Sequence, residues 1–388
     1  MINSIDKISV AHFRRGWFLS TETFIYNYIK EVKKTYPILI CYDRDNEDQF
    51  PIDSPIIELY RRGSISWFDR GIRCRVFGGQ ANPHFSRSQT YQTIKFFDVK
   101  LLHAHFGYTG YHVLPIKLRT NLPLITTFYG HDVSRMPKSP EWSKKFEELF
   151  KSGDLFLVEG PFMQERLIEL GCPPEKSEIQ RIAIAIDDYP FRVRKPKKSA
   201  EPVRIFFCGT FTEKKGLIFA MKAISKAHTK FKNLEFRIAG DGELKSEIDY
   251  TINKRGMHNY TKLLGFISHQ QMIAEMNAAD IFIHPSITAK DGDSEGGAPT
   301  VILEAQTCGL PILSTYHADI PNVVLPGESA LLSPERNVDA LYNNLVTLIE
   351  DQERWADMGQ FGHAFIEDKH DIQKEVKNLE KKYAQLLN

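Results

Sequence analysis

The chain has 388 residues, of which 42% are hydrophobic and 26% charged, the mix of an ordinary globular protein long enough for two domains. Its formal net charge of +1 excludes a polycation built for nucleic acid, so any anion site must come from local placement of charge. Five cysteines, Cys41, Cys74, Cys172, Cys208 and Cys308, form no CxxC pair, and several sit in apolar runs, which favours small buried hydrophobes in a reducing compartment over a disulfide frame. The first residues lack the pattern of a signal peptide, and no apolar run approaches the roughly 20 residues needed to cross a bilayer. The expected location is the cytoplasm, with resting on a membrane surface left open.

In chain order, short apolar runs predict strands at Lys7–His12, Tyr36–Tyr42, Leu101–His105, Leu124–Phe128, Leu155–Glu159, Arg204–Cys208, Glu235–Ala239, Tyr260–Leu264, Ile281–His284 and Pro311–Ser314. Their unbroken apolar character suits parallel strands buried on both faces. Helical patterns lie between them, for example Leu217–Lys230, Gln270–Ala278 and Val338–Glu350. The alternation predicts an α/β fold with two Rossmann-like parallel-sheet domains. The stretch Asp188–Pro202 has three prolines and five basic residues and reads as an exposed linker. The expected domains are therefore 1–188 and 203–370, joined by 189–202. The segment 371–388, a charged amphipathic helix, is expected to pack back on the first domain.

The first half carries four signals. Ser20 or Thr21 could cap the helix that opens at Glu22-Thr23-Phe24, aiming its N-terminus at a bound diphosphate; a plain cap explains the run equally well. Tyr60–Arg75 interleaves Arg61, Arg62, Arg70, Arg73 and Arg75 with Trp67 and Phe68, which suits an anionic membrane surface or a pyrophosphate-linked acceptor, although a solvated loop has the same composition. His103 and His105 share one face of a strand. No Cys or carboxylate completes a metal set beside them, so one is expected to be packed and the other to line a cleft. Tyr129-Gly130-His131-Asp132 ends the next strand, where Asp132 could orient Tyr129 or His131.

The second half is more specific. The strand ending at Cys208 runs into Gly209-Thr210-Phe211-Thr212-Glu213-Lys214-Lys215-Gly216 and a helix. Lys215 is placed to meet a diphosphate, or is simply a solvated lysine at a helix start. Ile238–Leu244 places Gly-Asp-Gly after another strand, a nucleotide contact or a tight turn. In Asp291–Gly309, Gly296, Gly297 and Ala298 precede Pro299, which suits a first helical turn, while Gly309 suits the position past its end. The glycine amides form an anion cradle. Glu304, inside the helix, could accept two ribose hydroxyls, and Glu295, in the loop, those of a transferred sugar; the plain alternatives are a surface Glu304 and a Glu295 that caps the helix. Asp291-Gly292-Asp293 imitates a metal motif, but supplies too few ligands for a hard cation.

The run Ser-Glu-Gly-Gly-Ala-Pro-Thr-Val-Ile-Leu-Glu-Ala-Gln-Thr-Cys-Gly, together with Gly-Thr-Phe-Thr-Glu-Lys-Lys-Gly, Ala-Gly-Asp-Gly-Glu-Leu and Ala-Asp-Ile-Phe-Ile-His-Pro-Ser, resembles the donor-site motifs of family-four glycosyltransferases, in that family's order across Val203–Pro334. The resemblance implies a GT-B fold with its two domains facing a cleft, a nucleotide-diphosphate sugar as donor, retention of anomeric configuration, and no cofactor or metal. It implies donor binding by Gly209, Thr210, Lys215, Gly296, Gly297, Ala298 and Glu304. Catalysis falls to Glu295, His131 and Tyr129, and the acceptor or phosphate side to Glu22, Thr23 and His105. A glycan or polyprenyl-diphosphate-linked acceptor in cell-surface polysaccharide synthesis follows as the expected partner, with no nucleic acid. Two departures stand out. Glu295 and Glu304 have eight residues between them where the family has seven, and Thr210 stands where an arginine is common. Tyr129 likewise occupies a position that is commonly histidine. An epimerase of the same fold and a non-catalytic nucleotide-sugar-binding subunit are the alternatives.

Overall fold

The computed structural model describes residues 7–16, 22–43, 48, 50–59, 88–198 and 201–388. Two compact units emerge, each built on one parallel sheet. The first takes in Met1–Glu159, Met163–Ala183 and Ile372–Asn388, and the second Gly160–Phe162 and Ile184–Asp371.

In the first unit the strands are β1 (Ile8–Phe13), β2 (Thr35–Cys41), β3 (Ile56–Glu58), β4 (Leu101–His105), β5 (Leu124–Thr127), β6 (Leu155–Val158) and β7 (Ser177–Ile179). They lie in the order β3-β2-β1-β4-β5-β6-β7, and every pairing is parallel. Leu102, Ala104, Leu124 and Phe156 are fully buried, as strands covered on both faces require. The helix Ile372–Leu387 belongs to this unit. Tyr383 is wholly buried, Glu380 accepts the Lys33 backbone N–H at 2.6 Å, and Glu375 accepts from the Gln180 amide at 2.8 Å. These contacts explain how a charged amphipathic segment docks by one face.

The second unit contains β8 (Val203–Cys208), β9 (Leu234–Ala239), β10 (Thr261–Gly265), β11 (Ile281–Ile283), β12 (Ile312–Thr315) and β13 (Ala330–Ser333). Their order is β10-β9-β8-β11-β12-β13. Phe207, Phe236, Ile224, Leu345 and Trp355 fill its core, and the Trp355 indole N–H donates to the Leu348 carbonyl at 2.8 Å. In both sheets the strand order reverses direction once, between β1 and β4 and between β8 and β11. Open α/β sheets bind ligands beyond the carboxyl ends of strands at such a point.

Every predicted strand is present, with ends shifted by a residue or so. Three others, β3, β7 and β13, were not anticipated. All three are short sheet edges, whose partial exposure breaks the apolar signal. The segment expected to be an exposed linker is anchored to the second unit at two points. Tyr189 is buried, and so is Arg194. The Arg194 guanidinium donates to the carbonyls of Met276 at 2.6 Å and Ala279 at 3.2 Å, and also to that of Cys308. It thereby satisfies carbonyls at the ends of the helices His269–Ala278 and Thr300–Thr307, where a cation is favoured. Prolines and charges concealed these anchors.

Candidate functional site

In the second unit, the loops following β8 and β11 meet at the reversal of strand order. After Cys208 the chain passes through Gly209 and exposed Thr210 into a single 3-10 turn, Glu213–Lys215. Gly216 then opens the helix Leu217–Lys230 in the left-handed region, with φ of 66°. A Cβ on Gly216 would lie 1.8 Å from the Pro285 carbonyl oxygen, so the close approach of the two loops depends on this glycine. Lys215 Nζ donates to Glu295 Oε2 at 2.9 Å. Lys214 reaches the same loop, pairing with Asp293 at 3.1 Å. The acidic run Asp291-Gly292-Asp293 thus supplies a partner for Lys214.

Glu295 is held at both ends. Ser286 Oγ donates to its Oε1 at 2.9 Å, and its backbone N–H donates to His317 Nε2 at 3.2 Å. Burial works against its charge, but Lys215 and Lys214 outweigh burial and hold its carboxyl down to about 2. Its carboxylate oxygens thus go to Lys215 and Ser286, and the cap position of the following helix is taken by Pro299. Gly296 adopts a φ of 73°, and its N–H donates to Ser294 Oγ at 3.2 Å. The cradle expected to present free glycine amides is therefore partly closed by Ser294. Gly297 is buried and Ala298 half-buried beside it.

Glu304 lies inside the helix Thr300–Thr307 and is only 5% exposed. Its Oε1 accepts from the Tyr189 hydroxyl at 2.7 Å, and that hydroxyl lies 2.8 Å from His269 Nε2. Burial pushes the Glu304 carboxyl up to about 7, with Tyr189 opposing the shift. Burial also raises the Cys208 thiol, at the end of β8, to about 12; the Glu304 charge adds to that and Lys215 opposes it. Ser286, His317, Tyr189 and His269 escaped the sequence reading. Only Ser286 left a trace there, in the turn Pro285-Ser286.

The first unit presents a different arrangement. Parallel pairing sets His12 of β1 opposite His103 of β4, so a third histidine joins the two that were foreseen. His12, His103 and His105 are 2–3% exposed, and their ligand atoms lie within 4.8 Å of one another. Burial takes in both foreseen histidines, and both line one small pocket together with His12, Thr127 and Tyr129, where one packed and one cleft-lining histidine were expected. Every ring nitrogen of the three except His12 Nε2 is already hydrogen-bonded. His12 Nδ1 faces His105 Nε2 at 3.2 Å, His105 Nδ1 faces the Tyr129 hydroxyl at 3.1 Å, and His103 bonds Tyr383 at 2.6 Å and Thr127 at 2.8 Å. Burial lowers all three, His12 to about 3, so the cluster is neutral near pH 7.

Tyr129 is buried at 8% exposure, with its hydroxyl committed to His105 rather than offered to a sugar. Asp132, fully buried, accepts the backbone N–H groups of Tyr129 at 2.7 Å and Gly107 at 2.5 Å. Burial pushes it up to about 7, and it orients the Tyr129 backbone rather than a side chain. His131 is exposed beside it. Glu22 is buried and paired with Arg14, while Thr23 begins the helix Thr23–Glu31 and is half-buried. Ser20, Thr21, Cys74 and the basic run Tyr60–Arg75 lie outside the described residues. Among the described residues no helix is long and apolar enough to cross a membrane.

Comparison with known proteins agrees with this geometry. Residues 188–365 match the family model of glycosyl transferases group 1, and residues 22–186 that of glycosyltransferase family 4. The chain is 33% identical over 295 residues to the amylovoran biosynthesis glycosyltransferase AmsK of Erwinia amylovora, covering 75% of this chain and 70% of that protein. It is 31% identical over 282 residues to WcaL of Escherichia coli, named for colanic acid biosynthesis, covering 71% and 68%. Among solved structures, HepE of Anabaena in complex with UDP-glucose aligns with a TM-score of 0.76 at 16% identity, covering 97% of this chain and 100% of that one. A glycosyltransferase from Rickettsia africae aligns with a TM-score of 0.77 at 15% identity, covering 99% of each. The fold shared with them is GT-B.

Proposed function

Because this chain belongs to the group 1 glycosyltransferases of family four, we propose that it transfers a sugar, with retention of anomeric configuration, from a nucleoside-diphosphate carrier to a glycan or polyprenyl-diphosphate-linked acceptor. The observation that carries the reading is the contact between Lys215, after β8, and Glu295, after β11, with Glu304 buried in the helix that follows. In the reaction the bond from the anomeric carbon to the diphosphate breaks, the acceptor oxygen bonds to that carbon, and the acceptor proton leaves with the nucleoside diphosphate. Lys215 and the amide of Gly297 stabilise charge developing on the leaving group, a fixed electrostatic arrangement, while the Gly296 amide is held by Ser294. Glu304 accepts the ribose hydroxyls, and Glu295 orients the transferred sugar. No residue is assigned as a covalent nucleophile, and no step draws on a metal or cofactor.

From the first unit, exposed His131 is the better candidate to meet substrate, and the roles foreseen for Tyr129 and His105 become internal support. The similarity to AmsK and WcaL supports cell-surface polysaccharide synthesis, at the cytoplasmic face of a membrane. Contact with that face through Tyr60–Arg75 would show as salt-sensitive sedimentation with anionic vesicles. The test of function is to identify by mass spectrometry the nucleotide sugar that co-purifies, then to supply it with polyprenyl-diphosphate-linked glycan and read the product linkage by NMR. Transfer with the donor's anomeric configuration is expected. An inverted linkage refutes retention, and conversion of the donor without any acceptor would assign an epimerase instead.

A further inference from the structure

Two residues outside the donor motif hold Glu295 in place. Strands β12 and β13 pair in register, with Thr315 opposite Ser333. Two positions beyond those partners stand His317 and Glu335, so the register alone brings them together. His317 Nδ1 lies 2.6 Å from Glu335 Oε1, and His317 is 2% exposed. Glu335 is fixed from its other side by the Thr288 backbone N–H at 2.8 Å. Burial works against the Glu335 charge, but the bonds from His317 and Thr288 hold the carboxyl below its ordinary value.

The donor and acceptor chemistry settles the imidazole's protonation. A backbone N–H can only donate, so His317 Nε2, facing the Glu295 N–H at 3.2 Å, must be bare. An ionised carboxylate can only accept, so the proton sits on Nδ1, toward Glu335. Glu335 thereby selects the one tautomer that can hold the Glu295 backbone. Glu295 itself stands in a stretch without helix or strand between β11 and the helix Thr300–Thr307. Its side-chain bonds to Lys215 and Ser286 are useful only if the backbone beneath them stays put.

We propose that His317 and Glu335 are positioning residues, a carboxylate–imidazole pair that anchors the backbone of Glu295 and so aims its carboxylate at the transferred sugar. The inference rests on the reading of Glu295 given above. Misplacing a substrate-orienting group by about 1 Å can cost on the order of 100-fold in rate.

The test compares His317→Leu, which removes the acceptor, with His317→Gln, whose side-chain oxygen can restore it. Hydrogen exchange reads the Glu295 amide. Turnover is measured with whichever of UDP-glucose, GDP-mannose and UDP-N-acetylglucosamine the wild type uses fastest. The leucine variant is expected to lose protection at the Glu295 amide and on the order of 100-fold in kcat, with little change in KM. The glutamine variant should recover most of both. Should the leucine variant fail to fold, Glu335→Ala serves in its place. The nitrogen shifts of a labelled His317 should then change from a single tautomer with bare Nε2 to a mixture, and kcat should fall. Unchanged amide protection in a folded leucine variant, or an unchanged tautomer in Glu335→Ala, overturns the inference. A fully active Glu295→Gln variant would remove the assignment of Glu295, and this inference with it, whatever the exchange data show.

Discussion

Glu304 offers a test that needs no substrate. Burial moves its carboxyl from 4.5 to about 7, which at 1.36 kcal/mol per pH unit is worth roughly 3 kcal/mol between the two protonation states. The folded value lies above the unfolded one, so the protonated side chain favours the fold. That contribution is fully present below about pH 4.5 and is lost as pH rises through about 7. Replacing Glu304 by glutamine keeps an oxygen for the Tyr189 hydroxyl, 2.7 Å away, while removing the titration. In urea unfolding from pH 5 to 7.5, the wild type should lose stability relative to Glu304→Gln by roughly 2–3 kcal/mol and then run parallel to it above pH 7.5. Other titrating groups cancel in the comparison. A constant difference across that range would refute the buried, proton-binding carboxyl. The same charge matters for binding, because two ribose hydroxyls need an ionised acceptor. Affinity for a nucleotide sugar, whose diphosphate diester does not itself titrate in this range, should rise between pH 6 and 8 in the wild type. In Glu304→Gln it should be flat and weaker by about 1–3 kcal/mol, as calorimetry would show.

Two further outcomes follow from the β8 loop. Lys215 bonds Glu295 directly, whereas Lys214 reaches Asp293. Lys215→Ala should therefore cost on the order of 100-fold in turnover and Lys214→Ala only a few-fold; equal losses in a donor-transfer assay would mean that positive charge in general, not the placement of Lys215, is what counts. Gly216→Ala puts a Cβ 1.8 Å from the Pro285 carbonyl oxygen at a φ of 66°, so denaturant unfolding should register a loss of about 1–3 kcal/mol, and an unshifted midpoint would contradict the close packing of the two loops.

What could be read in the sequence, and what could not, divides along a physical line. Buried central strands such as Leu101–His105 and amphipathic helices such as Val338–Glu350 announce themselves through local periodicity. Glu304 was legible differently, through its place in the run from Glu295 to Gly309 that resembles the family's donor site; its burial was not. Contacts set by strand register carry no local signal. His12 meets His103 only because β1 lies beside β4, and His317 meets Glu335 only through β13, an edge strand too short and too exposed to be foreseen. Tyr189 was hidden differently. It sits among prolines and basic residues whose composition reads as solvent-exposed, yet its hydroxyl is needed by Glu304.

The two sheets share one topology but not one electrostatic character, and the difference bears on where the diphosphate is bound. At the reversal of the first sheet stand three buried, neutral imidazoles, of which His103 and His105 bond tyrosine and threonine hydroxyls and His12 bonds His105. They supply no charge near neutral pH, and Arg14 beside them is already paired with Glu22, so an anion placed among them would have to compete for its counter-ion. At the reversal of the second sheet, Lys215 and Lys214 meet Glu295 and Asp293. Pairing keeps those partly buried charges compensated, which avoids the cost of a lone buried ammonium. An arriving diphosphate can share the Lys215 ammonium with Glu295, since three N–H donors are available there. With Thr210 exposed where related enzymes often carry arginine, and Lys214 turned to Asp293, the charge of the diphosphate falls on Lys215, which is why its loss should cost far more than that of Lys214.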